Sequence, residues 1–76
     1  MHYPDGDEIR LGDRVKLANN ELGTIVFSID TDEYTNEFRK EEWEYLKKGV
    51  MVKTDLGALI HFEDTNYEEI LKVNEN

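Results

Sequence analysis

No cysteine occurs among the 76 residues, so neither a disulfide nor a thiolate zinc site can hold this chain together. Stability must come from one compact core, at a length near the lower end of what folds unaided. The missing thiols fit a reducing compartment. The single proline, Pro4, lies in Tyr3-Pro4-Asp5-Gly6, where proline suits the second position of a turn and glycine supplies positive φ. Long apolar runs are also missing, and nothing approaches the ~20 residues of a membrane-spanning helix. The opening MHYPDGDEIR is polar and lacks the apolar stretch of about 7–15 residues typical of an export signal. A single cytoplasmic domain covering 1–76, with no membrane association, is the expectation.

Positive charge is scarce as well. Nine bases face eighteen acids, a net charge of −9. By position the balance is −2 over 1–29, −5 over 30–44, +2 over 45–60 and −4 over 61–76. More than half of the excess therefore falls in fifteen residues. Such a field repels nucleic acid and anionic lipid, whose binding needs Lys and Arg to displace counterions, and it attracts basic proteins. Lys47, Lys48 and Lys53 form the only basic cluster, too small to reverse that balance.

What the chain does contain is short strands separated by turns. Glu8 to Leu11 alternates over too few residues for more than a short edge strand, and Gly12-Asp13 turns into Arg14 to Leu17. Asn19-Asn20 suits left-handed geometry before Gly23 opens a strand over Thr24 to Ile29. There the alternation places Ile25, Phe27 and Ile29 on one face, with Thr24, Val26 and Ser28 opposite. The period then changes. Thr31 to Phe38 is loop, and about Lys40–Lys48 reads as two turns of helix stopped by Gly49. Trp43 and Leu46 would face the core, with Glu41, Glu44 and Tyr45 roughly opposite, and Lys48 able to pair with Glu44. Val50 to Thr54 and Ala58 to Phe62 make a hairpin around Asp55-Leu56-Gly57. Tyr67 to Val73 is either a helical turn or a last strand, with Ile70 to Val73 favouring strand. The predicted fold is mainly β: a small SH3-like barrel or strongly bent antiparallel sheet of about five strands, with one short helix. The second choice is an open antiparallel sheet with the helix packed on one face.

Catalytic motifs are not apparent. His61 lies between Ile60 and Phe62 in a strand and faces away from their shared side. No cysteine nucleophile, glycine-rich phosphate loop or serine with an adjacent base is present. Asp30, Asp32, Asn36 and Glu41 fit part of a calcium-loop spacing, but Tyr34 and Thr35 occupy positions that need a short oxygen ligand and a glycine. No catalytic residue, metal or cofactor is expected. Tyr34, Phe38, Trp43 and Tyr45 beside acids have the chemistry of an aromatic cage for a methylated lysine. Against that, Trp43 falls on the core side. Acids flanking tyrosines also suit a protein interface, in which carboxylates steer a basic partner and aromatics supply rigid contact area. A merely solvated acidic surface is the plain alternative.

The stretches YPDGDEIRLGDRVKL, GTIVFSIDTDEYTNEF and EEWEYLKKGVMVKTDLGALIHFED resemble small bacterial immunity proteins encoded beside Rhs-type and other polymorphic toxin genes. Those systems include type VI secretion and contact-dependent toxins. Ser28-Ile29-Asp30-Thr31, Glu33-Tyr34, Trp43 to Leu46, Gly49-Val50 and Leu59-Ile60-His61-Phe62 carry the resemblance, which extends from about Tyr3 to Asp64. Arg39 stands where that pattern commonly has proline before the helix. The resemblance implies a non-enzymatic protein that binds a cognate toxin domain and blocks it. Together with the charge pattern, it nominates Asp30, Asp32, Glu33, Tyr34, Glu37, Glu41, Glu44 and Tyr45 as a face that occludes a basic toxin surface. The alternative is a small acidic adaptor or reader of cationic or methylated peptides. Oligomeric state stays open.

Overall fold

The alternating segments pair into one antiparallel sheet of five strands. A computed structural model describes residues 2–63 and 70–73. The strands are β1 (Arg14–Leu17), β2 (Leu22–Ser28), β3 (Val50–Thr54), β4 (Leu59–Phe62) and β5 (Ile70–Lys72), in the order β4-β3-β2-β1-β5. One short helix separates β2 from β3: α-helical over Lys40–Trp43 (α1), then a 3₁₀ turn over Glu44–Leu46. The class is mainly β, as predicted, and the sheet is not closed. It is strongly bent. Leu17 on β1 and Ile60 and Phe62 on β4 line a common cleft, although two strands lie between them in the order. In a flat sheet that separation would be roughly 14 Å.

Bending lets all five strands feed one core: Val15, Leu17, Ile25, Val50, Val52 and Ile70 are buried together with Tyr3 and Ile9. Ile60 and Phe62 close its side. The N-terminal segment is held there by a hydrogen bond from the Tyr3 hydroxyl to the Asp13 carboxylate, at 2.7 Å. Burial, reinforced by that carboxylate, pushes the Tyr3 phenol far above its ordinary range. Glu8 to Leu11 does not form the expected strand. Glu8 makes a single bridge to His2, and Arg10 to Asp13 closes a turn instead.

The opposite face carries a second cluster built on Phe27, Phe38 and Met51, with Val26, Ile29, Tyr34, Trp43 and Leu46 against it. Two cores on one strand contradict the simple alternation predicted for Thr24 to Ile29. The reason is a β-bulge. Ile25 pairs with Val52 and Phe27 with Met51, so Val26 is the extra residue. An inserted residue shifts the pleat by one, so Ile25 enters the first core while Phe27 enters the second.

The helix also departs from expectation. It ends at Leu46, not Lys48, because Lys47 takes a left-handed φ of 71° and donates its N–H to the Glu44 carbonyl. The i,i+4 geometry assumed for Glu44 and Lys48 is not kept. Gly49 is not the helix stop. Its φ of +101° and missing side chain serve β4, since a Cβ there would meet the Phe62 carbonyl oxygen. The last strand is present as Ile70–Lys72, so the strand reading holds there; Tyr67 to Glu69 lie outside the described residues.

Candidate functional site

The excursion from Asp30 to Lys48 leaves the sheet and returns through one clasp. Ile29 N–H donates to the Gly49 carbonyl and Gly49 N–H donates to Asp30 Oδ1, both at 2.9 Å. Burial alone would raise the Asp30 carboxyl. The Gly49 hydrogen bond is the foremost of the interactions that outweigh it, the nearby Lys48 charge being a smaller one, and the carboxyl lies below its ordinary value. Ser28 and Glu33 exchange two backbone hydrogen bonds at 2.9 Å, tying the first turn of the loop back onto β2. The half-buried Glu33 carboxylate then accepts the Thr31 hydroxyl at 2.6 Å and the Leu11 N–H at 3.3 Å, with Arg10 at 3.7 Å. Further on, Thr35 and Phe38 close a turn by Thr35 N–H to Phe38 O and Phe38 N–H to Thr35 Oγ1.

These anchors aim the aromatics. Phe27 is the centre: its ring centroid lies 5.7 Å from Tyr34, 6.0 Å from Phe38 and 5.4 Å from Trp43. Tyr34 is stacked on it and half-buried. Burial raises the Tyr34 phenol above its ordinary value, and the neighbouring Asp32 charge adds to that. An aromatic cage would need open space among these rings, and Phe27 occupies it. Trp43 and Leu46 pack inward as predicted. Tyr45 does not point opposite Trp43 as a continuous α-helix would direct it. With the 3₁₀ turn following Trp43, the Tyr45 ring stacks on the indole at 6.5 Å and 22° while remaining 68% exposed.

The eight nominated residues therefore divide into three groups. Asp30, Glu33 and Tyr34 are committed to the fold by the contacts above. Asp32 and Glu37 are exposed but ion-paired, Asp32 with Lys40 at 2.9 Å and Glu37 with Lys53 at a loose 3.8 Å. The hydrogen bond to Asp32 holds the Lys40 ammonium above its ordinary value. Glu41, Glu44 and Tyr45 lie exposed on the helix. Among the described residues no three His, Asp or Glu side chains converge to hold a metal. His61 faces away from the first core, and its Nε2 lies 2.9 Å from the Lys48 carbonyl. A carbonyl only accepts, so this hydrogen bond requires the proton on Nε2.

Two features escape the sequence pattern. Lys40 and Lys53 come from the helix and β3 to neutralise loop acids, a pairing that no local spacing announces. A groove of about 490 Å³ also opens over β2, with Leu11, Val26 and Phe38 in its walls and Asn36 and Glu37 at its edge. It includes the bulge residue Val26, which is half-buried against the second cluster. No protein-family model, curated protein or solved structure matches the chain.

Proposed function

We propose that this chain is a protein-binding inhibitor, an immunity protein whose acidic loop-and-helix face covers a basic surface of a cognate toxin domain. Tyr45 carries the reading: it is 68% exposed, yet its ring is already stacked on Trp43. An aromatic side chain restricted before binding loses little further freedom on docking, and such residues dominate interface energetics. Glu41 and Glu44 flank it, inside the fifteen-residue segment of net charge −5. That field speeds encounter with a cationic surface, while Tyr45 supplies buried contact once the two meet. The sequence resemblance to immunity proteins supports the same role. The aromatic-cage alternative loses its main support with the rings closed on Phe27.

The test uses variants outside the clasp. Tyr45→Ala should weaken partner binding by about 2 kcal/mol or more, roughly thirtyfold, mainly in dissociation rate. Glu41→Lys with Glu44→Lys should mainly slow association. Both are read by surface binding to the toxin domain encoded beside this chain's gene, and by protection of cells expressing it. Full protection by the folded triple variant would reject this face as the interface.

A further inference from the structure

The groove over β2 lies beside the face proposed to bind, and its construction suits one kind of ligand. Its apolar walls are Leu11, Val26 and Phe38, while Ile25, fully buried in the first core, presents no open side chain to it. Its polar side chains are Thr24, Thr35, Asn36 and Glu37, and of these Glu37 alone is charged. Both banks are braced. The Thr35–Phe38 turn is closed by two hydrogen bonds, and on the other side Gly12 N–H donates to the Ile25 carbonyl at 2.8 Å. An apolar trough with an anionic lip matches a long basic side chain, whose methylene stem lies on hydrocarbon while its head reaches the carboxylate.

Glu37 is the one acid among the groove's lining residues, and it can exchange its present partner for a new cation. Asp55 is held by a bidentate Arg14 at 2.8 and 2.9 Å, Asp32 by Lys40 at 2.9 Å, and Glu42 by Arg39 at 3.1 Å. Glu37 has only Lys53 at 3.8 Å, between side chains 72% and 44% exposed. An ion pair that long and that wet contributes little, so exchanging Lys53 for an incoming cation costs little. Lys53 sits on β3 opposite Thr24, which lines the groove, and reaches Glu37 from that neighbouring strand.

We infer that this groove is the anchor site for an arginine side chain of the partner, its stem between Leu11 and Phe38 and its guanidinium on Glu37 and the Asn36 amide oxygen. Arginine fits better than lysine because its planar fork can serve two acceptors at once. The inference rests on the proposed reading of this face as a binding surface, and it adds the partner residue that the surface selects.

The probe is Nα-acetyl-arginine amide, titrated into the intact chain and followed by NMR, with the citrulline and norleucine amides as uncharged controls. Saturable shifts are expected at Leu11, Val26 and Phe38. Citrulline, and arginine with Glu37→Gln, should each bind about tenfold more weakly, the worth of one charge-assisted hydrogen bond. Lys53→Met should tighten arginine binding about twofold to fivefold by removing the competing cation. Glu37 and Lys53 are exposed, so neither substitution threatens folding. Equal binding of all three amides would make the groove a general apolar site and overturn the inference. Shifts confined to other residues, no shift at all, or no gain with Lys53→Met would overturn it too. If Glu37→Gln leaves partner binding intact while Tyr45→Ala abolishes it, the groove assignment falls and the proposed interface stands. If arginine binds the groove as described while Tyr45→Ala and the helix variants bind the partner normally, the reverse holds.

Discussion

Gly49 and Gly57 adopt nearly the same backbone conformation, with φ of +101° and +95°, and should respond very differently to alanine. Both substitutions force an L-residue into a sparsely populated region, at a cost of about 1–3 kcal/mol. At Gly57 that is the whole effect, because nothing lies within 4 Å of the added Cβ. At Gly49 the Cβ meets the Phe62 carbonyl oxygen, with the Phe62 carbonyl carbon and Glu63 Cα each at 2.9 Å. These are backbone atoms and cannot rotate away. Relief requires pulling the end of β4 off β3, which breaks the terminal Val50–Phe62 pairing. Losing its two hydrogen bonds adds about 2 kcal/mol. For a domain of this size each 1 kcal/mol moves Tm by about 4–8 °C, so Gly49→Ala should melt roughly 8–16 °C below Gly57→Ala. Circular dichroism melts and urea midpoints on the two variants measure the difference directly. Equal losses would refute the close approach of Gly49 to β4.

Other substitutions separate the second cluster from the clasp. Phe27→Ala removes the ring on which Tyr34, Phe38 and Trp43 converge, and should cost about 3–5 kcal/mol. Against a total stability of about 4–11 kcal/mol for such a chain, it should leave a partly unfolded protein by urea titration. Asp30→Asn should flatten the acid limb of the stability profile. The folded carboxyl lies below its ordinary value of 3.8, so its contribution is present above that pH and lost as pH falls through the folded value. Urea midpoints at neutral pH and below 3.8 check this, and a variant profile parallel to the parent's would contradict the stabilising role of the ionised Asp30 carboxylate.

The fold was legible wherever one residue type had one physical use. Asn20, Gly6 and Gly57 take positive φ in the turns their sequences announce, and Val15 with Leu17 face the core as alternation requires. Legibility failed where two uses share one signal. A glycine after a helical run reads as a helix stop, but Gly49 is needed for the approach of β4, and Lys47 takes the left-handed position instead. Likewise Ile25, Phe27 and Ile29 have the spacing of one strand face. The bulge at Val26 appears only in the pairing of β2 with β3, and the alternation of β2 alone does not display it.

The same limit explains why the acids of the excursion could not be ranked from composition. Asp30, Glu33, Glu41 and Glu44 are all simply acids in the sequence, and the backbone N–H groups of Gly49 and Leu11, distant along the chain, decide which of them are tied to the backbone. Their long-range field, however, is insensitive to that division. A carboxylate bound to a backbone N–H keeps its charge, so all of them still contribute to steering a basic partner within a screening length of about 8 Å. Contact and field therefore have different residues as their levers. Asp30 and Glu33 can act on a partner only at a distance, since turning either carboxylate outward would open the clasp or release the N-terminal turn. Glu41, Glu44 and Tyr45 are exposed on the helix, so in the proposed complex they are the residues that could be buried against a partner with no rearrangement of the fold.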